Sequence, residues 1–119
     1  PYEARYKVEE VEFAYGDEPM RPEAERFDER MIGVAQKCTF CIDTVEDGLS
    51  KGLTPGIDPD ATPACVNNCI SHALHFGDLD DPDSNVSKLL RENKYFRMHE
   101  EAGTGPNIYY LWEGGDLPL

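Results

Sequence analysis

Four cysteines carry the chemistry of this chain, in two tight pairs: Cys38-Thr-Phe-Cys41 and Cys65-Val-Asn-Asn-Cys69. Thiolates are soft ligands, and four of them suit zinc or an iron–sulfur cluster far better than magnesium or calcium. A Cys-x2-Cys pair opens zinc sites and cluster sites alike. A structural zinc site needs four tetrahedral ligands, and the 23 residues between Cys41 and Cys65 are tolerable for one. The Cys-x3-Cys second pair is less usual for zinc and is better explained by a cluster whose last cysteine serves a neighbouring cluster. Two disulfides are disfavoured, because such local pairs close no useful loop. A redox-active Cys38–Cys41 dithiol lacks a surrounding strand–helix–strand pattern.

The elements that must position these sulfurs read unevenly. Residues 4–13 carry Tyr6, Val8, Val11 and Phe13 in loose alternation and read as a strand or hairpin arm. Residues 16–29 are dominated by Asp, Glu, Pro and Arg, an exposed acidic crossing segment with a helical turn near 22–30. Residues 34–45 carry the first pair, and 48–62, with its glycines and prolines, reads as a surface loop. Pro63 suits the first position of a short helix that holds Cys65 and Cys69 on one face, at i and i+4. Residues 73–76 read as a short strand and 78–83 as an Asp-rich turn. Asp83 or Ser84 then caps a helix to about Asn93 that buries Val86, Leu89 and Leu90. Gly103-Thr-Gly-Pro106 breaks the chain before a strand at 108–112. Residues 116–119 read as a frayed end or a contact for something absent.

Composition narrows the function. The chain has 119 residues, with nine Pro, ten Gly and 29% charged residues, so turns outweigh continuous apolar structure. A chain of this kind often needs a staple such as a metal site or a partner surface. The net charge of −13 argues against nucleic acid, whose binding rests on Lys and Arg. No apolar run approaches the roughly 20 residues of a membrane span. There is no Ser/His/Asp arrangement and no glycine-rich phosphate loop, so the expected role is non-catalytic.

Three stretches together resemble a known family: Lys37-Cys-Thr-Phe-Cys41, Pro63-Ala-Cys-Val-Asn-Asn-Cys69, and Ala73-Leu-His-Phe-Gly-Asp-Leu-Asp-Asp-Pro82. They are similar to the iron–sulfur electron-transfer beta subunits of molybdopterin oxidoreductases, of the dimethylsulfoxide, polysulfide and thiosulfate reductase type and the phenylacetyl-CoA:acceptor oxidoreductase type. The 81–90 turn and helix and the closing Gly103-Thr-Gly-Pro-Asn-Ile-Tyr-Tyr-Leu111 resemble the same family. The resemblance covers 34–111, with gaps at 48–62 and 91–102. It implies an α+β, ferredoxin-like iron–sulfur domain, small and loop-rich, spanning 34–119. It also implies that 1–33 holds the end of an upstream ferredoxin motif, a strand and the acidic crossing segment. Pro1-Tyr-Glu-Ala-Arg-Tyr6 resembles the residues after the last cysteine of such a motif, so the chain is expected to be the carboxyl-terminal part of a longer subunit, incomplete at its amino terminus.

The resemblance further implies that Cys38, Cys41 and Cys65 hold one 4Fe-4S cluster and that Cys69 reaches another. Phe40 and Val66 could shield the cluster from water. The implied partners are a molybdopterin-containing catalytic subunit and a membrane anchor subunit, in a membrane-associated complex whose side of the membrane is left open. A zinc-stapled protein-binding module is the alternative. Three features depart from the family pattern. Ile70 stands where Pro usually follows the last cysteine, Thr44 stands at an often basic position, and the 48–62 loop is long and acidic, with Asp58 and Asp60.

Other candidates have plainer readings. His72 and His75 read as polar residues at a strand edge rather than ligands, and His99 as solvated. Asp78, Asp80, Asp81 and Asp83 lack calcium-loop spacing and read as a turn and cap. Tyr109, Tyr110 and Trp112 are divided by alternation between a core face and a face open to a partner. Lys37 is either a surface lysine or an electrostatic neighbour of the cluster.

Overall fold

A computed structural model describes residues 1–113. The chain divides into two compact units, one running Tyr2–Thr39 and the other beginning at Phe40.

In the first unit, β1 (Arg5–Lys7) pairs antiparallel with β2 (Ala35–Lys37), with Tyr6 opposite Gln36. The Tyr6 hydroxyl donates to the Gln36 side-chain oxygen at 3.0 Å. The Val8 amide donates to the Val34 carbonyl, and the Gly33 amide donates back to Val8. The long strand arm expected over 4–13 is therefore short, and its far end is a bridge between Phe13 and Gly16. The acidic segment holds one helical turn, α1 (Arg21–Ala24). Glu23 ties it down: its carboxylate accepts from the amides of Ala14 (2.9 Å) and Met20 (2.8 Å). Phe13 meets Phe27 edge to face at 5.5 Å, which gives this segment its aromatic anchor.

The second unit opens with α2 (Ile42–Ser50). It ends in a Schellman arrangement: Gly52, at φ +76°, donates to the Leu49 carbonyl and Leu53 donates to Gly48. A 3₁₀ turn at Pro59–Ala61 packs against α2. Short α3 (Ala64–Asn67) follows. Next come α4 (Asn85–Glu92), β3 (Lys94–Phe96) and β4 (Tyr110–Trp112), the last two paired antiparallel with Tyr95 opposite Leu111. Helices and small antiparallel sheets together make the chain α+β.

The 48–62 stretch corrects the surface-loop expectation. Its start lies in α2, and its end contains Ala61 and Thr62, which with Pro63 are the most buried residues of the described chain. Two glycines make this possible. A Cβ on Gly48 would stand 2.5 Å from Ala61 Cβ, and one on Gly56 (φ +80°) would stand 1.7 Å from the Phe76 carbonyl oxygen. Thr62 closes the loop from within: its hydroxyl donates to the Asp58 carbonyl (2.7 Å) and accepts from the Gly56 amide (2.9 Å).

Ser84, of the two expected caps, accepts from the Ser87 amide at 3.2 Å. Val86, Leu89 and Leu90 are half-buried, as their spacing requires. The expected closing strand forms as β4, and its partner β3 falls in a stretch that carried no strand expectation. Phe96 stacks on Tyr110 at 5.2 Å, and Tyr95 meets Tyr109 at 5.3 Å. The Arg97 guanidinium lies over the Tyr109 ring at 5.4 Å, pairs with Glu100, and donates to the Pro106 carbonyl. The expectation for 116–119 lies outside the described residues.

Candidate metal centre

Cys38 follows β2 in the first unit, while Cys41, Cys65 and Cys69 belong to the second. Cys41 is the amino-terminal cap of α2 and lies in the left-handed region at φ +53°, directly after Phe40 at φ +57°. Such a conformation costs a non-glycine residue roughly 1–2 kcal/mol, and local strain of this kind gathers at functional sites. Its result is a sharp turn that presents Cys41 beside the uncapped first turn of α2. The N–H groups there and the positive end of the helix both favour a negatively charged neighbour. The Phe40 ring stacks on Phe76 at 6.3 Å, joining this turn to the segment that follows Cys69.

Cys65 is exposed, within α3. The expected shared helix face for Cys65 and Cys69 does not form, because α3 ends at Asn67 and Pro63 is its cap rather than its first residue. Asn68 caps the far end of α3, and its side chain donates to the Ala64 carbonyl at 2.8 Å, so the helix is closed before Cys69.

Cys69 instead sits in a tight turn. Its amide donates to Val66, and the His72 amide donates back to the Cys69 carbonyl at 3.0 Å. His72 adopts φ +51°, a conformation that His tolerates better than most residues. Ile70, which stands where the family pattern has proline, is 97% exposed. The turn surrounds one sulfur with donors. Ser71 Oγ lies 3.5 Å from Cys69 Sγ. The Ser71 hydroxyl above all, then the amides of Leu74 and Ala73 and that of Ser71, hold the Cys69 thiol below its ordinary pKa. A sulfur supplied with several donors is prepared to exist as a thiolate, the form that binds metal.

The expected strand over 73–76 does not form; this stretch follows directly on the turn closed at His72. The Cys-x-Ser spacing was the one signal by which Ser71 could have been found.

Among the described residues, no three His, Cys, Asp or Glu side chains converge on a single-ion site. Four thiolates are a donor set that iron–sulfur clusters use, and the hydroxyl beside the Cys69 sulfur is the kind of donor that tunes such a ligand, so the residues present fit a cluster.

No family model matches the chain. Individual proteins do. A Halobacterium salinarum protein named as a "putative dimethyl sulfoxide reductase iron-sulfur subunit" is 42% identical over 113 residues, covering 93% of this chain and 36% of that protein. The Hdr-like menaquinol oxidoreductase iron–sulfur subunit 1 of Archaeoglobus fulgidus is 39% identical over 73% of this chain and 31% of its own length. The chain belongs to the iron–sulfur subunit family of oxidoreductases. Within that family, the arsenate respiratory reductase iron–sulfur subunit of a Shewanella species is 42% identical over 64% of this chain and 27% of its own length. The chain spans about a third of the length of these relatives. The match favours an iron–sulfur group over the zinc-stapled alternative.

Proposed function

We propose that the chain is an electron-relay segment of the iron–sulfur subunit of a multi-subunit molybdopterin oxidoreductase. In this reading Cys38, Cys41 and Cys65 ligate one 4Fe-4S cluster and Cys69 ligates another. When bound, each cluster supplies a one-electron carrier whose potential answers to burial and to hydrogen bonds at sulfur. The protein's share is to hold the thiolates, orient them and donate to them. The donor cradle around Cys69 carries the proposal, supported by relatives named as iron–sulfur subunits of reductases.

The partners in this reading are a molybdopterin-containing catalytic subunit and a membrane anchor subunit. No described helix is long and apolar enough to cross a membrane. Anaerobically purified protein is expected to contain iron and acid-labile sulfide and to give a paramagnetic signal on reduction. Stoichiometric zinc without sulfide would refute the proposal.

A further inference from the structure

Ser71 brings a side-chain hydroxyl to a cysteine sulfur. Its Oγ stands 3.5 Å from Cys69 Sγ, and either atom of that pair could donate. A metal-bound thiolate has no proton to give, so in the loaded state the hydroxyl must donate and the sulfur accept. The serine lies inside the turn closed by the His72 amide on the Cys69 carbonyl at 3.0 Å. Backbone donors cannot be changed without changing the fold, whereas a hydroxyl can be removed at the cost of one atom.

We propose that Ser71 is a positioning residue that sets the reduction potential of the cluster ligated by Cys69. This rests on the relay reading above. The physical argument is a difference between two charge states. Reduction adds one electron to the cluster and increases the negative charge on its sulfurs. A hydrogen bond to sulfur is stronger in the more negative state, so it favours reduction and raises the potential. Removing the hydroxyl lowers it.

The test uses the intact iron–sulfur subunit, loaded with its clusters anaerobically, as wild type, Ser71→Ala and Ser71→Thr. Iron and acid-labile sulfide are measured first, then the midpoint potential of each cluster by redox titration followed by electron paramagnetic resonance. Ser71→Ala is expected to keep wild-type iron and sulfide and to lower one midpoint only. The expected size is about tenfold in the reduced-to-oxidised ratio, or about 59 mV for a one-electron couple. Ser71→Thr, which keeps the hydroxyl, is expected to restore the wild-type midpoint.

An alanine variant with full cluster content and unshifted potentials would overturn the proposal, as would a threonine variant as low as alanine. Loss of iron on Ser71→Ala would also overturn it, by making the hydroxyl a structural requirement. A wild-type subunit without iron and sulfide overturns the relay reading itself, and this proposal with it.

Discussion

Thr62→Val isolates the hydrogen bonds that shape the chain between the cysteine pairs. Valine keeps the shape of threonine and replaces the hydroxyl with a methyl group. Two bonds disappear, from the Gly56 amide (2.9 Å) and to the Asp58 carbonyl (2.7 Å). The two losses differ. The Asp58 carbonyl also accepts from the Ala61 amide at 3.0 Å, so it keeps a partner. The Gly56 amide has no second acceptor among the bonds of the described residues, and stranding a part-buried donor costs about 1–3 kcal/mol. Thr62 is only 3% exposed, so water does not readily replace the hydroxyl. The added methyl recovers under about 1 kcal/mol of apolar burial. The net expectation is a loss of about 1–2 kcal/mol, or about 4–12 °C in Tm for a chain of this length. Thr62→Ser keeps both bonds and loses one buried methyl, at about 0.8 kcal/mol. Thermal unfolding followed by circular dichroism should rank wild type above the serine variant and the serine variant above the valine one. A valine variant as stable as wild type, or a serine variant less stable than valine, would refute the argument that hydrogen bonding governs this loop.

Gly56→Ala should be costlier than Gly52→Ala, although both glycines have positive φ. Gly52 has open space around a new Cβ, so only the backbone cost of about 1–2 kcal/mol applies, whereas Gly56 adds a collision with the Phe76 carbonyl worth a further 1–3, roughly, measurable by denaturant titration. The Glu23 carboxyl is held below its ordinary pKa by the Ala14 amide first and the Met20 amide second. A lowered folded-state pKa contributes stability above the unfolded-state value, and that contribution is lost as pH falls through the folded value. The Ala14 and Met20 amide resonances should therefore move together on acidification, with a midpoint below the ordinary glutamate range, and a midpoint within or above that range would contradict the bonds. Alanine at Cys38, Cys41 or Cys65 should remove the signal of the same cluster and alanine at Cys69 that of a different one, as read by iron content and paramagnetic resonance.

Candidate ligands were easier to read from the sequence than the fold was. Cys38, Cys41, Cys65 and Cys69 stood out because ligand chemistry depends on residue type and spacing, and both are visible in one dimension. The helix from Ser84 and the strand before Trp112 were legible for a similar reason, since a cap and an apolar pattern are local. The burial of Ala61 and Thr62 was not, because it depends on Gly48 and Gly56 letting distant backbones approach. Composition gives glycine only as a turn-former. The missing strand at 73–76 was equally hidden: it follows a turn closed at His72, at φ +51°, which β propensity does not weigh.

The surroundings of Cys69 carry a further consequence. Because Ser71 Oγ contacts Sγ and the Ala73 and Leu74 amides are among the groups that hold the thiol below its ordinary pKa, the chain after Cys69 is moored to the chemical state of one atom. Alkylating or oxidising Cys69 replaces a strong acceptor with a bulky or altered one, and the mooring slips. Deuterium uptake at Ala73 and Leu74 then becomes a readout of that sulfur, available without iron, colour or a paramagnetic signal. The same stretch carries Phe76, whose ring lies on Phe40, the residue next to Cys41. A lesion at one thiol would thus be felt in the packing beside another.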